Sequence, residues 1–329
     1  MSLLVDGIAF IFLLYTVHAI VQYVNTSVVA NINFFPFFPG QQRDLARLST
    51  PREELYTLIT GCDTGFGRLL VEALANENKP VLAGCLTETG VKVLESSGRP
   101  NLIPFLLDVT NPADLERCQK LIQSVCPEGL GAVVNNAGIS QGYLVEWSTM
   151  EEARQVLEVN FLAPLAMIKM CLPFLRRTRG RIINISSASS IIPIPGLSLY
   201  SASKSALSAM TQALRQETKH MGVAVCEVVP GFAYTNLISR ITAMITEKRG
   251  TVCKEIQGAY PENRIERSLA FFNGSYRRSM SPDFVVQAIQ HALFSRFPKV
   301  KYQVGKEIPL IRMLKALPEV AYEAVWALY

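Results

Sequence analysis

The chain has 329 residues, of which 49% are hydrophobic and 18% charged, and its formal net charge is +5. That composition supports one large buried core, and without a run of basic residues it excludes a nucleic-acid partner. Seven cysteines form no CxxC pair, and His18, His220 and His291 lie far apart, so neither a zinc site nor a disulfide framework is expected.

Leu3 to Val24 is almost continuously apolar, broken by Asp6, His18 and Gln22. About 20 such residues cross a bilayer, and no Lys or Arg precedes them as in a secretory signal. Residues 1–25 are therefore expected to form a transmembrane anchor. Arg43, Arg47 and Arg52 follow it and place the remainder on the cytoplasmic side. A cleaved signal or a helix lying on the surface is the alternative. Residues 26–52 read as a linker, since Pro36 and Pro39 within Phe34-Phe35-Pro36-Phe37-Phe38-Pro39 rule out a regular helix. Asn25-Thr26-Ser27 and Asn273-Gly274-Ser275 match the glycosylation acceptor pattern and serve only as topology probes.

From residue 55 strands and helices alternate. Strands are expected at 55–60, 80–86, 102–107, 131–134, 181–185 and 223–229. Helices are expected at 68–76, 114–125, 151–176 and 201–221. Near-continuous apolar strands separated by helices indicate a parallel sheet covered on both faces.

Thr60-Gly61-Cys62-Asp63-Thr64-Gly65-Phe66-Gly67 joins the first strand to the first helix. Gly61 suits the tight turn, Gly65 lets backbone approach a pyrophosphate, and Gly67 lets helix and strand pack. Asp108 ends the third strand, where a carboxylate can accept a hydrogen bond from adenine. Asn135-Asn136-Ala137-Gly138 ends the fourth. Ligands in such folds sit beyond the carboxyl ends of the strands. In Tyr200-Ser201-Ala202-Ser203-Lys204, Tyr200 and Lys204 share a helical face. A free tyrosine has a pKa near ~10; a nearby ammonium and an oxidised nicotinamide are expected to lower it. Ser187 follows the fifth strand and can hold a substrate oxygen; Ser186 competes for that role.

Taken in order, these motifs resemble the short-chain dehydrogenase/reductase superfamily over roughly residues 55–235. The set comprises the Gly-rich turn, Asp108, Asn135 to Gly138, Asn160, Ser187, Tyr200, Lys204, and Pro230-Gly231 with Thr235. The resemblance implies an α/β fold, a Rossmann-type doubly wound parallel sheet in a single domain, here with an N-terminal membrane helix. It makes Tyr200 the acid/base, Lys204 its modulator and ribose ligand, Ser187 the substrate-orienting group, and Asn160 the support of a proton relay through water. It assigns cofactor contacts to Gly61, Asp63, Gly65, Phe66, Gly67, Asp108, Asn135, Ala137, Gly138, Tyr200, Lys204, Pro230, Gly231 and Thr235.

The charge of Asp63 would repel a 2′-phosphate, so NAD is expected over NADP. Against it, the second strand ends Gly84-Cys85-Leu86-Thr87 without a carboxylate for the ribose hydroxyls, although Glu88 lies just beyond. The turn sequence is similar to the branch of retinol, hydroxysteroid and 3-hydroxybutyrate dehydrogenases, although close members often carry Cys where Ser201 stands. The domain is read as 53–305, with a lid at 232–280 and an amphipathic tail at 306–329. In the lid Leu237, Ile238, Ile241, Met244 and Ile245 share a helical face, and Phe271 and Phe272 add aromatic area. An apolar lid suits a retinoid, steroid or other lipid alcohol; packing the lid down is the equal alternative. Arg249, Arg264, Arg267, Arg277 and Arg278 could instead grip the carboxylate of a small hydroxy acid. The reading is thus an oxidoreductase at the endoplasmic reticulum membrane, with a small-molecule lipid or steroid substrate. A mitochondrial 3-hydroxybutyrate-type dehydrogenase and a non-catalytic cofactor-binding scaffold are the alternatives. The resemblance allows a homo-oligomer.

Overall fold

The computed structural model describes residues 52–234, 236–319 and 323. The expected anchor, nearly all of the linker, Thr235 and most of the tail beyond Glu319 lie outside them.

The chain runs through β1 (Thr57–Thr60), α1 (Gly65–Asn76), β2 (Val81–Cys85), α2 (Glu88–Glu95), β3 (Leu102–Leu106), α3 (Pro112–Val125) and β4 (Ala132–Asn135). It continues through α4 (Met150–Leu157), a π-turn (Glu158–Leu162), α5 (Ala163–Thr178), β5 (Arg181–Ile185), α6 (Ser198–Glu217) and β6 (Ala224–Pro230). Then come α7 (Asn236–Thr251), α8 (Lys254–Gly258), α9 (Glu262–Arg277), α10 (Asp283–Phe294), β7 (Lys301–Val304) and α11 (Ile308–Lys315). The strands form one sheet in the order β3-β2-β1-β4-β5-β6-β7, and every pairing is parallel.

Side chains alternate across each strand, and the sequence fills both faces with apolar groups. Ile59, Ala83, Val134, Ile183 and Cys226 face α1 and α10, meeting Leu70, Leu74, Val285 and Ile289. Their neighbours Leu58, Leu82, Val133, Ile182 and Val225 face the opposite way and meet Ile122 of α3 and Met167, Cys171 and Leu175 of α5. Six of the cysteines are buried free thiols and Cys253 is exposed. The seventh strand is absent from the sequence reading. It is short, and only Tyr302 of its four residues is buried, so it lacks the continuous apolar run that marks the inner strands.

Among the described residues, Met150–Thr178 is the one helix long and apolar enough to cross a bilayer. Its apolar side belongs to the core: Met167, Ile168, Cys171, Phe174 and Leu175 pack on the sheet. Length and composition therefore reflect a sheet-covering helix here.

The expected lid is a loop with joined ends. Met280 N donates to the Phe232 carbonyl and Tyr234 N donates to the Met280 carbonyl, both at 3.0 Å. Within it, Ile241 and Ile245 of α7 and Ile265 and Phe272 of α9 are buried against Tyr143, Trp147 and Leu197. Lys248 of α7 pairs with Glu152 of α4 at 2.6 Å. The side chains of Leu237 and Ile238 lie outside the description. The tail packs on the domain where it is described: Ile308 and Ile311 are buried with Ala188 and Ile192.

Arg181 opens β5 with a buried side chain whose Nη1 donates to the Ala292 carbonyl and Nη2 to the Ser295 carbonyl, the latter at 2.6 Å. A cation on the final carbonyls of α10 completes both their hydrogen bonds and the helix dipole. Arg181→Met should lower unfolding free energy by about 1–3 kcal/mol, measured by urea denaturation; an unchanged midpoint would contradict this role.

Candidate active site

The carboxyl ends of β1, β4, β5 and β6 converge on one cleft. Its walls include Phe66, Gly138, Ile194, Leu197, Phe232 and Ile241.

At the nucleotide end, Gly61 turns the chain with φ +69°, and a Cβ there would sit 2.9 Å from the Ala137 Cα. Gly67 is equally constrained, because a Cβ would strike the Gly61 carbonyl and the Asn136 amide. Gly65 differs. Its φ is +62°, and the space in front of it is open. The following helix begins without a side-chain cap from Thr64 and without an acidic residue in its first turn. Free N–H groups, a positive dipole end and open space fit a pyrophosphate.

Two residues of these motifs that were assigned no cofactor contact hold this turn in place. The Thr60 hydroxyl accepts from Asn136 N at 3.1 Å and from Ala137 N at 3.0 Å. Asn136 Nδ2 donates to the Thr60 carbonyl at 2.8 Å and the Gly61 carbonyl at 3.1 Å. Asn135, the candidate next to it, is buried and turned away, with Nδ2 donating to Asn184 Oδ1 at 2.8 Å. Alternation along β4 sends adjacent side chains opposite ways, so Asn136 lines the cleft and Asn135 braces β5.

Asp63 reaches out of the Gly-rich turn to the end of β2. Its Oδ2 accepts from Leu86 N at 2.7 Å, while Oδ1 accepts from Thr87 N at 3.0 Å and the Thr87 hydroxyl at 2.6 Å. A carboxylate thus does stand at the end of the second strand, brought there by the first turn. Glu88 is drawn instead toward Lys92, 3.8 Å away. Asp108 uses Oδ1 to accept from the Thr110 amide and hydroxyl, at 2.9 and 2.7 Å.

Ser187, Tyr200 and Lys204 meet at the other end. The Ser187 side chain lies beside the Tyr200 hydroxyl and favours its phenolate, and its Oγ accepts from Ser189 N at 3.1 Å. Ser186 points elsewhere, its hydroxyl donating to the buried Glu227 Oε1 at 2.7 Å, and Glu227 is paired with Lys301 at 3.0 Å. The geometry separates the two serines as the family spacing does. Lys204 is buried; its Nζ donates to the Ile185 carbonyl at 2.9 Å and lies 5.8 Å from the Tyr200 ring centre.

The expected lowering of the tyrosine pKa is not what this cleft produces. Burial pushes the Tyr200 phenol up to about 12, against a smaller opposing effect of the Ser187 hydrogen bond. Burial also draws the Lys204 ammonium down to about 8. The amine serves the Ile185 carbonyl, so desolvation rather than charge pairing dominates both groups.

Asn160 sits fully buried in the π-turn, a feature frequent at functional sites. Its Oδ1 accepts from Ile139 N at 2.8 Å, and its Nδ2 donates to the Ile139 carbonyl at 2.8 Å and to the Ser203 hydroxyl at 3.0 Å. The side chain thereby fixes the segment after β4 beside the Lys204 helix. A Cβ on Gly138 would lie 3.3 Å from both Asn160 Oδ1 and Lys204 Nζ. Pro230 and Gly231 close the cleft at the end of β6. The arginines considered as carboxylate ligands, Arg249, Arg264, Arg267, Arg277 and Arg278, are all exposed, and none is among the residues lining this cleft; Arg249 pairs with Glu262 at 2.8 Å.

Comparisons with known proteins agree with this geometry. Residues 56–246 match the short chain dehydrogenase family. The chain is 36% identical over 277 residues to dehydrogenase/reductase SDR family member 9 of Bos taurus, covering 80% of this chain and 86% of that protein. It is 34% identical over 272 residues to retinol dehydrogenase 5 of Mus musculus, covering 80% and 85%. A short-chain dehydrogenase structure from Streptomyces avermitilis superposes with a TM-score of 0.66 at 22% identity, covering 83% and 94%, and shares the fold. The chain belongs to the short-chain dehydrogenase family and is an oxidoreductase acting on CH–OH groups.

Proposed function

We propose that the protein transfers hydride between NAD(H) and a secondary or lipid alcohol or its ketone, with a retinoid or steroid as substrate. The observation that carries this reading is that Ser187, Tyr200 and, one helical turn on, the buried Lys204 line the same largely apolar cleft. Ser187 and Tyr200 present two hydroxyls to one substrate oxygen. In oxidation Tyr200 accepts the hydroxyl proton and Ser187 orients the oxygen; in reduction Tyr200 returns the proton. When bound, the cofactor would supply the hydride acceptor and, when oxidised, a positive charge that favours the phenolate against the burial that raises Tyr200. Lys204, tied to Ile185, holds the helix that carries the tyrosine and offers its remaining N–H groups to a ribose. Asp108 would offer an oxygen to adenine, and Gly138, Pro230 and Gly231 would complete the cofactor contacts; Thr235 joins them on the family resemblance alone.

NAD is favoured by Asp63, whose three accepted hydrogen bonds leave capacity for a ribose hydroxyl and whose charge opposes a 2′-phosphate. A lipid alcohol is favoured by Ile194, Leu197, Phe232 and Ile241 in the cleft wall, with the candidate arginines outside it. The apolar run at 3–24 favours a membrane location, assigned here to the endoplasmic reticulum.

Tyr200→Phe should reduce turnover about 10²–10⁴-fold and leave the NADH dissociation constant within about threefold, read by fluorescence titration against a panel of retinoid, steroid and hydroxy-acid substrates. Retained turnover would remove Tyr200 from its role, and NADH binding without turnover of any substrate by the wild type would favour the scaffold reading. Asp63→Asn removes the charge and keeps one of the two acceptor oxygens, enough for the Thr87 or the Leu86 contact but not for both. It should shift the NAD-to-NADP ratio of kcat/KM about tenfold toward NADP, as one charge at a partly solvated site warrants; an unmoved ratio would count against Asp63 as the selector. The buried lysine also makes stability depend on pH. Lys204 titrates at about 8 in the folded chain and near 10.5 unfolded, so between those values the unfolded chain holds more protons and stability rises with pH. Lys204→Met, which lacks the charge, should be more stable than wild type at pH 7 by an amount on the order of 2 kcal/mol. That difference should shrink by pH 10 in denaturant titrations of the cofactor-free protein. A pH-independent difference would show that burial does not lower the pKa of the amine.

A further inference from the structure

We infer that Glu307, at the start of the C-terminal segment, is a positioning residue for the nicotinamide end of the cofactor site. The inference rests on the dinucleotide reading given above. The chain leaving β6 as Pro230-Gly231-Phe232 forms one wall of the cleft opposite Tyr200 and Lys204. Two bonds from one distant segment hold it. Gly231 N donates to the Val304 carbonyl at 2.7 Å, and Phe232 N donates to Glu307 Oε1.

The carboxylate is seated between two glycines. A Cβ on Gly231 would overlap Glu307 Oε1, and a Cβ on Gly305, whose φ is +156°, would stand 3.1 Å from the Glu307 carboxylate. Side chains at either position would expel the acid from its place. Immediately after it, Ile308 and Ile311 bury themselves against Ala188 and Ile192, the stretch that begins at Ser187. One short helix thus anchors the exit of β6 through Glu307 and the exit of β5 through its isoleucines. These are the two backbone segments between which the reacting ring and the substrate oxygen must meet.

Glu307→Ala and Glu307→Gln are compared with wild type in the full chain, using NADH fluorescence titration, steady-state kinetics and amide hydrogen exchange of the Phe232 peptide without added cofactor. Alanine should raise the NADH dissociation constant and the cofactor KM about tenfold, the loss of one charge-assisted hydrogen bond, with kcat within about threefold. It should also accelerate Phe232 exchange about tenfold. Glutamine keeps an acceptor oxygen and should stay within about threefold of wild type throughout. Wild-type affinity and exchange in the alanine variant would overturn the proposal, as would a glutamine variant as impaired as alanine. Should alanine fail to fold, Glu307→Asp withdraws the carboxylate by one methylene and must reproduce the alanine losses; wild-type behaviour there would also overturn it. If wild type binds no NADH, the dinucleotide reading falls, and the exchange data still decide whether Glu307 holds the loop.

Discussion

The Lys204 amine donating to the Ile185 carbonyl is the contact on which the site is arranged. It fastens α6 to the end of β5, where Ser187 begins the next segment, and so fixes how far Tyr200, one turn earlier, stands from that serine. Holding an ammonium there is costly, as the downward shift of its pKa records. The same dry surroundings hold the phenol in its neutral form. A site in which both groups are displaced toward neutrality is poised to respond strongly to an added charge, because little solvent is present to screen it.

Most of the sheet was legible because inner parallel strands are apolar on both faces: Val81–Cys85 follows that rule throughout, and Arg181–Ile185 and Ala224–Pro230 follow it apart from Arg181, Asn184 and Glu227. β7 was not legible, since a half-exposed edge strand beginning with Lys301 shows no such run. α2 was missed for a similar reason: it is short and buries only Gly90 and Leu94. At the site, Gly61, Gly67, Ser187, Tyr200 and Lys204 could be picked out by spacing within single motifs. The partners that hold them could not. Asn136 rather than Asn135 faces the turn because of strand alternation at one particular residue, and Glu307 meets Gly231 from 76 positions away along the chain. Long-range pairing of this kind leaves no local pattern.

The helices between Phe232 and Met280 illustrate how one apolar stripe can serve two purposes. Ile241 both belongs to the cluster under the lid and lines the cleft. Tyr143 meets Trp147 edge-on at 5.7 Å, Trp147 meets Tyr260 at 5.8 Å, and Tyr143 lies against Gly196. This aromatic chain gives α7 and α9 a firm bed beside Tyr200, so the segment can be packed down and still present Ile241 to the cleft.

The π-turn at Glu158–Leu162 carries a consequence for how this region tolerates variation. It takes up one more residue than an α-helical turn between α4 and α5. Because that residue is absorbed within the turn, α4 and α5 keep nearly the faces they would have in one continuous helix. Removing it would leave Met167, Cys171 and Leu175 on the sheet, and the loss would fall on the contacts Asn160 makes with Ile139 and Ser203. The extra residue therefore serves the asparagine and not the core: the packing of the two helices does not require it, whereas the bracket beside Lys204 does.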